Sequence, residues 1–102
     1  MNVIVHRIEL LPGITSEQFE RWVQHVDYVG CLELPSVLAF SVHPHAGRSG
    51  QYFEVITVTS AADFERDMAT PAFGRLARGF EELAAVREEL AGPAIPPGYR
   101  AC

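Results

Sequence analysis

The stretch from Tyr52 to Phe80, YFEVITVTSAADFERDMATPAFGRLARGF, restricts the fold more than any other part of the chain. Its first eight residues alternate Phe53, Val55 and Thr57 with Glu54, Ile56 and Val58, and β-branched types dominate, so they predict a strand. Ser60-Ala-Ala-Asp63 has the spacing of a helix-capping box. A short helix follows, with Phe64 and Met68 on its apolar side. Thr70-Pro71 then restarts the chain: Thr is a good N-cap and Pro is favoured at the first helical position. Phe73, Leu76, Ala77 and Phe80 supply an apolar stripe for the second helix. A strand that feeds a helix broken and recapped at Pro71 is a specific plan, around which the remaining chain must pack.

Upstream, Val3–Leu11 reads as a first strand closed by Pro12-Gly13. Thr15-Ser-Glu-Gln18 is a second capping box, and Phe19, Trp22, Val23 and Val26 recur at helical spacing. That helix should fade near Gly30. Val37–His43 predicts a second strand, and a polar loop leads to the third near Gln51. Downstream, residues 81–90 have strong helix propensity. A three-stranded sheet would nevertheless leave one edge unpaired, so a short fourth strand is expected over Ala84–Leu90, against propensity. Pro93, Pro96 and Pro97 exclude an interior strand and predict an extended arm over 93–102. The expected fold is α+β: a ferredoxin-like β-α-β-β-α-β domain with an antiparallel four-stranded sheet. Its strands are apolar on both faces. The face that two helices cannot reach calls for a second sheet, which predicts a homodimer forming a dimeric α/β barrel.

Composition narrows the function. The chain has 102 residues, enough for one domain with a modest core. A net charge of −5, with all eight basic residues being scattered arginines, argues against nucleic acid as a partner. No apolar run approaches about 18 residues, so no membrane span is expected, nor is a leader peptide. Cys31 and Cys102 are isolated and are expected to be reduced thiols in a cytoplasmic protein. His43-Pro44-His45 is the one hint of a metal site, but two histidines do not complete a ligand set, so no metal is expected.

With these residues in view, the chain resembles the RedY-like family of dimeric α/β-barrel proteins over nearly its whole length. The similarity rests on Tyr52–Ile56, on the run Phe64–Phe73, on Pro97-Gly-Tyr-Arg100, on His6 and on Asp27-Tyr28. It implies a small protein free of metal and cofactor, associated with bacterial pathways to prodigiosin-type pyrrole pigments and bisindole alkaloids. The wider superfamily includes cofactor-free polyketide cyclases, in which a first-strand His and a His just after the helix-restart Pro handle protons. His6 matches the first position. The second falls near Phe73, so that pair is incomplete here.

Period-two alternation places His6 with Ile4 and Ile8, Glu54 with Tyr52 and Ile56, and His43 with Ser41 and Ala39. These sets are assigned to one pocket-lining face, with Leu38, Phe40, Val42, Phe53 and Val55 on the other. A histidine beside a carboxylate is a tunable general base, so His6, Glu54 and Tyr52 are the catalytic candidates. The competing reading makes His6 a satisfied core histidine and Glu54 a surface or ion-paired group. Trp22, His25, Tyr28, Ser41, His43, Met68 and Phe73 are the candidate substrate-binding residues. Aromatic walls suit a flat indole or pyrrole guest, although Trp22, Met68 and Phe73 equally suit the core and His25 an exposed helix face. The function expected is cofactor-independent proton transfer that directs cyclisation or rearrangement of a reactive bisindole or pyrrole intermediate. The rivals are a protein that only binds and delivers that intermediate, and a cofactor-free monooxygenase.

Overall fold

The computed structural model describes residues 1–101; Cys102, and with it the expectation of a second reduced thiol, lies outside the described residues. Four strands, β1 (Asn2–Leu10), β2 (Val37–Pro44), β3 (Gln51–Val58) and β4 (Ala84–Pro93), form one sheet in the order β2-β3-β1-β4. Every neighbouring pair is antiparallel. Between β1 and β2 runs a continuous helical stretch: α1 (Ser16–Trp22), a π-helical turn (Val23–Asp27), the short α2 (Tyr28–Gly30) and a 3₁₀ turn (Cys31–Glu33). Between β3 and β4 lie α3 (Ala61–Met68) and α4 (Pro71–Glu81). The architecture is the expected α+β, ferredoxin-like β-α-β-β-α-β arrangement.

Local chemistry starts the helices where the sequence says it should. The Thr15 hydroxyl accepts the Gln18 N–H while the Gln18 side chain takes the Thr15 N–H, which completes the capping box. At α3 only half of the box forms. Ser60 accepts the Asp63 N–H at 3.0 Å, but the Asp63 carboxylate turns to the Thr59 hydroxyl at 2.7 Å. Thr70 caps α4 and Pro71 opens it.

α4 stops at Glu81 although helix-forming residues continue. The Leu83 N–H closes a turn on the Phe80 carbonyl, and the Leu11 N–H donates to the Leu83 carbonyl at 2.9 Å. From Ala84 onward the chain satisfies the otherwise vacant edge of β1, with a register shift at Arg7/Ile8. Pairing of exposed backbone groups outweighs the few tenths of a kcal/mol per residue that propensity offers.

The helices cover one face only. Along β3, Tyr52, Glu54, Ile56 and Val58 are buried beneath them, while Phe53, Val55 and Thr57 on the open face are half-buried. Under the helices the core divides into two clusters. One joins Ile8, Phe19, Val23, Tyr52 and Ala84; the other joins Ile56, Val58 and Phe64.

Register corrects one expectation. Phe40 and Val42 pair with Ile56 and Glu54, so they join the helix-covered face. Ser41 and His43 pair with Val55 and Phe53 and stand on the open face. The shift between Val37 and Ala39 inserts an extra residue and resets the phase of the strand. The alternation of Ala39, Ser41 and His43 with Leu38, Phe40 and Val42 separates two sets but does not say which of them faces the helices.

Candidate active site

The division of the core has a cause in the sheet. Ile8 and Tyr52 face each other in one rung, Ile4 and Ile56 in another, and His6 opposite Glu54 forms the rung between them. Polar side chains cannot complete an apolar layer, so the two hydrophobic clusters part above this pair. A cavity of about 550 Å³ opens there, between the sheet, the π turn, α3 and α4. Phe40, Phe64, Phe73, Leu76 and Phe80 are among the residues of its wall.

At the floor, His6 Nδ1 lies 2.6 Å from Glu54 Oε2. Glu54 is only 8% exposed, and with its imidazole partner that burial is compensated. His6 Nε2 has a longer contact, 3.3 Å, to Glu89 Oε2 on the exposed edge strand. The Glu54 hydrogen bond raises the His6 pKa above its ordinary 6.5; burial opposes the shift, and the charges of Glu54 and Glu89 add to it. The arrangement has the logic of a carboxylate-oriented histidine: Glu54 fixes the Nδ1–H tautomer and steadies the imidazolium, leaving Nε2 to exchange protons. The Glu89 contact is long and solvent-exposed, so a ligand at the cavity floor can displace it.

Of the other candidates, Met68 and Phe73 line the cavity. Tyr52 occupies the row of His6 and Glu54 on its strand but does not face the cavity. It packs against Phe19, with ring centroids 4.8 Å apart, and its hydroxyl donates to Glu20 at 2.6 Å. Trp22 packs against Phe19 and Phe80 beside the same cluster. His25 is exposed. The Tyr28 hydroxyl accepts the Val42 N–H at 2.9 Å, which ties α2 to the edge of β2, and its ring meets Phe40 edge-on. Ser41 and His43 bond to one another at 2.8 Å on the open face, where His43 stacks on Phe53. His6, Glu54, Met68 and Phe73 therefore converge, and the remaining six do not.

Two residues near the His6–Glu54 pair escaped sequence reasoning. Asp27 lines the cavity from the π turn; burial, aided by the charge of Glu54, pushes its carboxyl up to about 7. A signal was available, because Phe19, Val23 and Asp27 follow one another at four-residue spacing on the inward stripe. Glu89 had none, since its place depends on the register of β4. Cys31 also borders the cavity, where burial raises its thiol to about 11 with help from Asp27 and Glu54, so it is an un-ionised wall residue at neutral pH. Among the described residues no group of three or more His, Cys, Asp or Glu side chains is arranged to hold a metal ion. No helix among them is long and apolar enough to cross a membrane.

A helix-roofed ferredoxin-like domain with a part-buried histidine–carboxylate pair in an apolar cavity is the class this geometry defines. Within it the chain belongs to the HapK family of REDY-like proteins, whose family model matches residues 2–95. The crystal structure of HapK from Hahella chejuensis is 43% identical, superposes with a TM-score of 0.90 and is covered, like this chain, over 100% of its length. SnoaB, a cofactor-independent oxygenase from Streptomyces nogalater, shares the fold at 18% identity and a TM-score of 0.78, over 95% of this chain and 97% of its own. PA3566 from Pseudomonas aeruginosa does so at 22% identity and a TM-score of 0.64, over 99% and 94%. A search of curated proteins returned no match.

Proposed function

We propose that this protein is a cytoplasmic, cofactor-independent enzyme of bacterial secondary metabolism. Acting as a homodimer, it directs the cyclisation or rearrangement of a reactive bisindole or prodigiosin-type pyrrole intermediate by proton transfer. The observation that carries this reading is the 2.6 Å His6–Glu54 pair at the floor of a cavity of about 550 Å³. That volume lies within the roughly 300–1,000 Å³ of small-molecule sites and suits a fused or linked pair of heteroaromatic rings. Phe40, Phe64, Phe73 and Phe80 line the cavity, and aromatic walls suit a flat guest. His6 Nε2 removes a proton from the bound intermediate, and Glu54 stabilises the imidazolium that results. Bond reorganisation then proceeds within a guest held in one orientation, so positioning supplies much of the rate. Membership of the REDY-like family supports the assignment to secondary metabolism.

The test supplies an unstable bisindole precursor, generated in situ, with substoichiometric protein, and follows products by mass spectrometry. A changed product distribution, lost in His6→Ala and strongly reduced in Glu54→Gln, is the expected result. A change seen only at stoichiometric protein, and kept by His6→Ala, would mean a carrier. Consumption of oxygen in step with product would mean an oxygenase.

A further inference from the structure

One carboxyl group in the cavity has no place in the His6–Glu54 pair. The helical stretch from α1 could have continued regularly, yet at Val23–Asp27 it widens into a π turn, with the Tyr28 N–H reaching back to the Val23 carbonyl. Such turns cost hydrogen-bond geometry and recur at functional sites. This one turns Asp27 into the cavity that His6 and Glu54 line from below. Among the described residues the Asp27 side chain has no hydrogen-bond partner, whereas the buried Asp67 of α3 takes both the N–H and the hydroxyl of Ser36. An inward carboxyl delivered by an irregular helix and left without a protein partner is placed for a ligand.

Resting on the proton-transfer reading above, we propose that Asp27 is the second catalytic group of the cavity: it donates a proton to an imine nitrogen or carbonyl oxygen of the bound heteroaromatic while His6 removes one elsewhere on it. The ligand class this selects is a flat conjugated ring system that carries a hydrogen-bond acceptor, and the step is a prototropic shift. A C–H or N–H bond of the ligand breaks and its proton passes to His6 Nε2. The Asp27 O–H bond breaks and a new N–H or O–H bond forms at the acceptor. No electrons are gained or lost, and the site resets when His6 releases a proton to water and Asp27 takes one up.

The surroundings of Asp27 favour its neutral form. The titratable groups facing it across the cavity are His6 on β1, Cys31, Glu54 on β3 and Glu81 on α4, with Glu89 behind His6; none of the eight arginines lines the cavity. Burial and the neighbouring Glu54 charge bring its pKa to about 7, where a carboxylic acid both holds a proton and releases it readily. Two titratable groups that line one cavity, His6 and Asp27, can serve one guest as base and acid.

The test separates recognition from turnover. Isoquinoline, a flat ring system with one acceptor nitrogen, serves as the probe in calorimetric titrations at pH 6 and 8.5. Wild-type affinity should fall about tenfold between the two. Asp27→Asn, which still donates but does not titrate, should bind equally at both pH values, and Asp27→Leu should bind about tenfold more weakly than wild type at pH 6. An equal fall in Asp27→Asn, or unchanged binding in Asp27→Leu, overturns the proposal. With the bisindole precursor, Asp27→Asn should turn over at least about 100-fold more slowly while binding isoquinoline normally at pH 6; wild-type turnover by that variant overturns the catalytic role. If wild type itself leaves the precursor's products unchanged, the proposed function fails, and the isoquinoline series still decides whether Asp27 is a ligand-facing donor.

Discussion

At the scale of single residues, two titratable groups, His6 and Asp27, decide how the site behaves with pH. His6 has a folded-state pKa above its ordinary 6.5, so its pairing with Glu54 contributes stability that is full below about 6.5 and is lost as pH rises through the folded value. Asp27 is a carboxyl raised from 3.8 to about 7, so the folded state holds a proton that the unfolded state releases. Its contribution therefore also declines with rising pH, across the interval from about 4 to about 7. Both terms have the same sign. Urea unfolding at pH 6 and pH 8.5 should show the protein less stable at the higher value, and Asp27→Asn should recover about 1–2 kcal/mol there, a figure reduced from the full shift because the carboxyl faces an open cavity. Glu54→Gln keeps a hydrogen-bonding partner for His6 but removes the charge. It should lower the His6 pKa, read by proton NMR, and slow turnover by about 100-fold or more. Cys31, already driven up to about 11, should react slowly with alkylating reagents at pH 7.

Individual elements show where local preference rules and where it yields. The ends of α1 and α4 are legible because capping is a short-range exchange of hydrogen bonds: Thr15 with Gln18, Thr70 with Phe73, each within one turn. Thr15→Ala should cost about 1 kcal/mol in chemical denaturation without altering the site. β4 is the opposite case. Ala84–Pro93 includes seven residues that favour helix, Ala84, Ala85, Arg87, Glu88, Glu89, Leu90 and Ala91, and it is a strand only because β1 presents an unpaired edge. The packing of α2 on α4 is another such decision. A Cβ at Gly30 would lie 2.6 Å from the Leu76 side chain, which itself lines the cavity. Gly30→Ala should destabilise the fold by about 1–3 kcal/mol and weaken isoquinoline binding, because Leu76 is displaced toward the guest.

For the whole molecule, the open face of the sheet is the feature with most consequence. Val3, Val5, Phe53 and Val55 lie half-buried on it, and Leu38 and Leu90 are 54% and 61% exposed. A sheet face of this composition is unusual next to water, and a second sheet packed about 10 Å away would cover it. Sedimentation at micromolar concentration should therefore give a dimer. Val55→Glu, at the centre of that face, should yield monomer with the helix-covered site intact, as judged by isoquinoline binding. A wild-type monomer under the same conditions would remove the homodimer from the proposed function and leave the acid–base site untouched.

Taken alone, the sequence determined the order of elements, the caps, the split β-α-β-β-α-β plan and the pairing of His6 with Glu54 as a candidate. Apart from the fourth strand, which follows from the need to pair a sheet edge, each of these depends on periodicity within an element or on contacts within a few residues. Tertiary structure decided the rest. It set the phase of β2, which one inserted residue near Leu38 reverses, so that Ser41 and His43 leave the site. It turned the Tyr52 hydroxyl away to Glu20 and brought Asp27 inward through a π turn. It drew Glu89 to His6 through the register of an edge strand. These outcomes share one physical cause. Side-chain direction in a sheet follows from long-range pairing of backbone groups, and a single-residue change in that pairing moves a side chain from one face to the other.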